Sequence, residues 1–439
     1  PIFGIMSCIG LIALKRPFHK IMTGTLKPIL GYLMLAAGAG VIVSNLDPLG
    51  KMIEHGFHIT GVVPNNEAIV AVAQKVLGVE TMSILVVGLL MNLCIARFTK
   101  FKYVFLTGHH SLFMACLMSA VLGTAGLSGM ELILVGGFLM GAWSAISPAI
   151  GQSYTSKVTD GDEIAIGHFG SLGYYLSAWV AKYVGKAEDS TEDIEIPEKW
   201  GFLRDSTLST ALTMIVFYLI AAFAAGSEFV ATLSGDMSPY LYAVMSAMNF
   251  AVGVTIVYSG VRMILGDLIP AFQGIATKII PNAIPAVDCA VFFTYAPTAV
   301  VLGFLSSFIG GIIGMLILGA VGGVLIIPGL VPHFFCGATA GIYGNATGGR
   351  RGAAVGAFLN GLAITFLPAL ALPVLGQLGF QNTTFGDADF AVMGLVLGNA
   401  YEWVGMAGIY GIVAIAALVL IIPNFIKTKG KVINYVEED

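Results

Sequence analysis

Charge-free apolar runs of about 18–22 residues recur along the whole chain, separated by short polar or basic patches. That is the length a helix needs to cross a bilayer at 1.5 Å per residue. Ile2–Leu14 ends at Lys15-Arg16-Pro-Phe-His19-Lys20, and such basic clusters mark cytoplasmic ends. Pro28–Asn45 then crosses outward, and Asp47–Asn66 reads as a polar connection entering the membrane at Glu67. Thr81–Ala96 returns to the basic Arg97–Lys102, Val104–Leu127 goes out, and Leu132–Ile150 comes back. Glu163–Val180 has lysines on both flanks (Lys157, and Lys182 with Lys186) and contains His168, the pattern of a re-entrant hairpin.

Lys186–Asp205, with seven acidic residues, is the one clearly soluble loop. Thr207–Leu233 and Ala243–Leu265 read as further spans, and Asp267–Asn282 mirrors the earlier polar connection. Cys289–Ile327 is long enough for two spans, and Ala353–Leu375 crosses out after Arg350-Arg351. Phe380–Asp389 reads as external, Phe390–Asn399 as a second short hairpin, and Glu402–Ile422 as the last span before Lys427–Lys431. The expected fold is an all-α polytopic membrane protein of about eleven transmembrane helices plus two re-entrant hairpins. The opening Ile2–Leu14 looks like a span missing its beginning, without a cleavable signal peptide.

Composition agrees: 57% of the residues are hydrophobic and 10% charged, with a mean hydropathy of +0.89. The net charge of −4 says little, because the placement of the charges carries the information; no nucleic-acid partner is expected. The 56 glycines suit close helix packing and interrupted helices. Five single cysteines in apolar settings read as packing residues. No nucleotide loop, dinucleotide fingerprint, metalloprotease motif, catalytic triad, voltage-sensor arginine series or channel filter stands out, and nothing calls for a cofactor or a metal.

Two carboxylates carry the chemistry. Asp288 follows Pro285 by three residues at the head of the apolar run Cys289–Ile327, and Glu67 follows Pro64 by three. A charged group near the bilayer centre costs roughly 2.5–3.5 kcal/mol even on insertion scales, so it belongs in a polar cavity. Other matches lie 220 to 222 positions apart: Gly136–Gly141 with Gly356–Gly361, Pro148-Ala149 with Pro368-Ala369, and Pro48 with Pro270. The basic residues place matching segments on opposite faces, so residues 1–206 and 207–439 are expected to be inverted halves, as in alternating-access carriers. Asp288 and Glu67 read as ligand-binding or proton-handling groups, or else as helix caps beside a proline. Asn65 and Asn66 suit sugar-like hydroxyls, or an ordinary turn after proline. His109 reads as a ligand or an interfacial histidine, His168 as a ligand at a hairpin tip, and His333 as a ligand or a core residue.

The motifs Lys20-Ile-Met-Thr-Gly24-Thr-Leu-Lys27, Leu106-Thr-Gly-His109, Ile166-Gly-His168 and Ala286-Val-Asp288-Cys-Ala with Tyr295-Ala-Pro297 run in order through the chain. In these it resembles the enzyme IIC membrane components of bacterial phosphotransferase-system permeases, specifically the L-ascorbate family. The resemblance implies a homodimer in the bacterial inner membrane, each protomer having a dimerising scaffold and a mobile core. By motif, the substrate site would use Gly38, Ala39, Asn66, Glu67, His109, His168 and Asp288. It also implies transport coupled to phosphorylation. A IIB partner donates a phosphoryl group from a cysteine, received from phosphoenolpyruvate through the general enzymes and IIA, while Asp288 orients or deprotonates the accepting hydroxyl. The chain departs from ascorbate carriers, which have glutamines at Ala36, Phe113 and Phe169, serine at Ala39 and an aromatic at Glu67. Those changes should disfavour anionic ascorbate and admit a pentose or polyol. An H⁺- or Na⁺-coupled secondary transporter using Glu67 and Asp288, or a receptor without flux, are the competing classes.

Overall fold

The polar stretches expected to interrupt the apolar runs are in several places helical, and two helices of 40 residues form the centre of one half of the molecule. The computed structural model describes residues 2–58, 61–64, 66–161, 163–194, 206–376 and 383–425. α1 (Ile2–Ala13) leads into α2 (Phe18–Phe57), β1 (Val63–Pro64) and α3 (Asn66–Phe98). Next come β2 (Tyr103–Phe105), α4 (Gly108–Thr124), α5 (Gly129–Thr159), β3 (Ala165–Ile166) and α6 (Ser171–Val184). After the acidic loop follow α7 (Ser206–Ala225), α8 (Ser227–Ser234), α9 (Pro239–Lys278), β4 (Ile284–Val287) and a 3-10 turn, Cys289–Thr294. The remainder is α10 (Pro297–Ala320), α11 (Leu330–Gly376, two helices joined at a kink where Gly348 and Gly349 leave helical geometry), β5 (Thr383–Thr384), α12 (Ala388–Val404) and α13 (Met406–Ile421). Among the described residues seven helices are long and apolar enough to cross a membrane, or eight if the bent α7–α8 pair is one span. The chain is a multi-pass, all-helical membrane protein.

Four expectations are corrected. Asp47–Asn66 is not a polar connection at its start, because α2 runs to Phe57, and α9 likewise continues through Asp267 to Lys278. Ion pairs compensate the charges there, Asp47 with Lys51 at 2.8 Å and Asp267 with Lys27 at 3.5 Å. Pro48 and Pro270 stay inside their helices, each removing one backbone bond that packing offsets. Cys289–Ile327 holds one span-length helix rather than two, because the 3-10 turn and Pro297 delay its start. Thr207–Leu233 bends by 116° at the break between α7 and α8, where Gly226 takes φ +82°. Finally, Asp387 and Asp389 are buried, not external.

α2 and α9 cross in antiparallel sense through glycines. A Cβ at Gly31 would lie 2.7 Å from the Gly260 carbonyl oxygen, and one at Gly38 the same distance from that of Gly253. Only glycine permits such contact between backbones. Gly31 and Gly253 stand 222 positions apart, as do Gly38 and Gly260, and Pro48 and Pro270. Each helix therefore presents the same two glycines to the other in reverse order.

The short strands repeat the theme. β4 lies parallel between β2 and β3, while the Val62–Pro64 segment lies parallel between Ile326 and β5. Each central segment is thus inserted between two strands from the other end of the chain, and the pairing satisfies backbone groups where water is scarce. Helices α1, α2, α7, α8 and α9 pack as one group, and α3 to α6 with α10 to α13 as another.

Candidate functional site

A cavity of about 1120 Å³ separates the two groups. One wall comes from α2 and α7, including Tyr32, Ala36, Ala39 and Phe217. The opposite wall comes from the starts of α3 and α4, the segment after β4, the start of α11 and the turn before α12. From there the cavity runs past Asp47, Lys51 and Glu54 to Phe57, at the end of α2 remote from the basic Lys15–Lys27 stretch.

The polar groups gather at its deep end. β4 delivers Asp288, which caps the 3-10 turn: one oxygen accepts from the Ala290 N–H at 3.5 Å, and the other lies 3.4 Å from His109 Nε2. Asp288 is buried and His109 is half-exposed. The first turn of α4 also holds His110, whose ring centroid lies 3.7 Å from that of His168. His168 Nδ1 accepts from the Gly170 N–H at 3.1 Å and meets the Tyr174 hydroxyl at 2.8 Å. Accepting a backbone N–H at Nδ1 leaves Nε2 as the ring's donor. Asn66, opening α3, donates to Asp387 Oδ2 at 2.5 Å and accepts from the Gly386 N–H at 2.9 Å. Asp387 Oδ1 accepts from the Cys336 thiol at 2.6 Å.

A second carboxylate lies behind this cluster. Asp389 Oδ1 accepts from the Leu172 N–H at 2.9 Å, and Oδ2 from Ser171 Oγ at 2.8 Å and Trp143 Nε1 at 3.2 Å. Its own N–H donates to the Phe169 carbonyl at 2.9 Å. The N-termini of two short helices, α6 and α12, therefore meet at one carboxylate, where both helix dipoles favour negative charge.

Of the residues singled out from sequence, Ala39, Asn66, His109, His168 and Asp288 all line the cavity, as do Ala36 and Phe113. Gly38 lies at the α2–α9 crossing. Phe169 is buried against Phe105, with ring centroids 4.6 Å apart. His333 is a core residue bonded to Ser307 Oγ at 2.9 Å. Asn65 and the side chain of Glu67 lie outside the described residues. The sequence pairs His110 with His109 as a candidate, but it gives no sign of Asp387, Asp389, Cys336 or Tyr174 as partners at this site. The ligand-type atoms of His168, Cys336 and Asp387 lie within 4.8 Å of one another.

A profile of the family described as "PTS system sugar-specific permease component" matches residues 1–389. The chain belongs to that family. The chain is also 27% identical, over 406 residues, to a protein of Mycoplasma pneumoniae named "Ascorbate-specific PTS system EIIC component". The alignment covers 79% of this chain and 60% of that relative, so the chain spans well under the relative's full length.

Proposed function

We propose that this chain is the substrate-translocating IIC subunit of a sugar phosphotransferase system in a bacterial cytoplasmic membrane. It moves L-ascorbate or a related pentose or polyol inward by alternating access. A IIB partner, charged through IIA, phosphorylates the solute. The observation that carries this reading is one cavity between two helix groups with Asp288, His109, His168, Asn66 and Asp387 at its deep end. Such a set both accepts from and donates to hydroxyl groups.

The antiparallel glycine crossing of α2 and α9 and the exchanged strands support inverted halves at residues 1–206 and 207–439. The opposed α6 and α12 support two re-entrant hairpins meeting near mid-membrane, within a total of about eleven spans. α2, α7 and α9 would be the fixed scaffold of a homodimer, and the other group the moving core. With the cavity reaching the end of α2 away from the basic clusters, this is an outward-open state.

Asp288 orients the accepting hydroxyl or takes its proton as that oxygen attacks phosphorus. The S–P bond to the IIB cysteine breaks as the O–P bond forms, and the thiolate leaves. Membrane vesicles with a collapsed ion gradient, given phosphoenolpyruvate and the soluble partners, should accumulate phosphorylated solute. Accumulation of unmodified solute under an ion gradient alone would overturn the reading. The role of Asp288 fails if Asp288→Asn phosphorylates normally with unchanged binding.

A further inference from the structure

We infer that Asp387 is a second ligand-facing carboxylate, and that with Asp288 it selects a neutral polyhydroxylated solute, a polyol or sugar, over an anionic one such as ascorbate. This rests on the permease reading above and narrows its substrate. Both carboxylates line the cavity and both are buried, 4% and 6% exposed. They approach the same imidazole. Asp387 and Cys336 place ligand-type atoms within 4.8 Å of His168, and so do Asp288 and Cys289. The deep end of the cavity is thus a histidine ring between two acids.

Their hydrogen bonding leaves capacity for a ligand. Each oxygen of Asp387 takes one bond, from Asn66 Nδ2 and from the Cys336 thiol. A carboxylate oxygen accepts two, so each keeps a site for a hydroxyl hydrogen. Asp288 has the long contact from Ala290 N–H, its approach to His109 and a contact from the Cys289 thiol, which leaves its oxygens unfilled. Hydroxyl groups donate, and these are acceptors without enough donors.

Among the described residues that line the cavity, Lys51 is the only lysine or arginine. It lies at the outer end, paired with Asp47 at 2.8 Å and near Glu54. An anionic solute would pass those acids and come to rest between two more, with no guanidinium or ammonium to meet it. Like charge at short range in a dry site is strongly unfavourable. A neutral polyol meets no such opposition.

Purified full-length protein titrated calorimetrically at pH 7 with xylitol, ribitol, mannitol, D-xylose and L-ascorbate tests the inference. At least one neutral compound should bind with a Kd tenfold or more below that of ascorbate. Asp387→Asn should weaken that compound at least tenfold and leave ascorbate unchanged or tighter. Ascorbate binding as tightly as the best neutral compound overturns the inference, as does failure of all four neutral compounds to bind. The wild-type ordering decides even if the variant does not fold. Ion-driven uptake with polyol preferred would sink the permease reading alone. Phosphoenolpyruvate-dependent modification with ascorbate preferred would sink only this inference.

Discussion

Asp389 and Asp288 are both buried carboxylates beside the start of a helical segment, yet their surroundings differ in kind. Asp389 is fully buried, takes three hydrogen bonds from Leu172, Ser171 and Trp143, and does not line the cavity. Asp288 has one long backbone contact, the neighbouring Cys289 thiol and a histidine at 3.4 Å, and faces the cavity. Burial alone does not distinguish a structural acid from a ligand-binding one. The number of protein donors already committed to the carboxylate does, because a saturated acid has little left to offer a solute.

The sharpest test is to remove each acid in turn. Asp389→Ala orphans one buried and two partly buried donors, each worth roughly 1–3 kcal/mol, so stability should fall by about 3 kcal/mol or more. Asp288→Ala should cost less than about 1.5 kcal/mol, the usual net worth of a single hydrogen bond. Thermal unfolding in detergent reads both, and equal losses would break the comparison. On uptake the order reverses for a milder change. Asp288→Asn should lower phosphorylation-coupled transport about a hundredfold, within the 10²–10⁴ that acid–base assistance contributes, with little change in Tm.

Gly38 extends the comparison to a residue with no side chain. A methyl group there would meet the Gly253 carbonyl oxygen at 2.7 Å, whereas Gly40 has nothing within 4 Å. Gly38→Ala should therefore destabilise by about 1–3 kcal/mol through overpacking, and Gly40→Ala should stay within about 0.5 kcal/mol. A Gly38→Ala protein of normal Tm but lost solute affinity would move this glycine from the architecture to the binding site.

The parts of this scheme legible in the sequence are those with a local signature. Asp288 was visible as an unpartnered acid in an apolar run, and His168 as a polar residue on a short segment with both flanks basic. Pro48 and Pro270 gave the offset that the glycine crossing shares. Asp387 and Asp389 were hidden because Gly386-Asp-Ala-Asp389, after Asn382-Thr-Thr, has the composition of an exposed turn. Asp389 is held by Ser171 and Leu172, more than 200 residues away, and Asp387 by Asn66, 321 residues away. Cys336 read as packing, and its thiol's bond to Asp387 is a contact that composition does not reveal.

The smallest expected effect tests where the ligand region ends. Lys51 and Asp47 are one helical turn apart and more than half exposed, so their pair should contribute no more than about 0.5 kcal/mol to stability. If solute is held only at the deep end, Lys51→Gln should change the Kd of a bound polyol by less than about twofold, since a screened rim charge contributes little to a neutral ligand. Its effect on ascorbate should be a further weakening, because Asp47 would then face incoming anions uncompensated. A tenfold loss of polyol affinity would place Lys51 in contact with the solute. The distinction between a committed and an available polar group would then have to include the outer end of α2 as well.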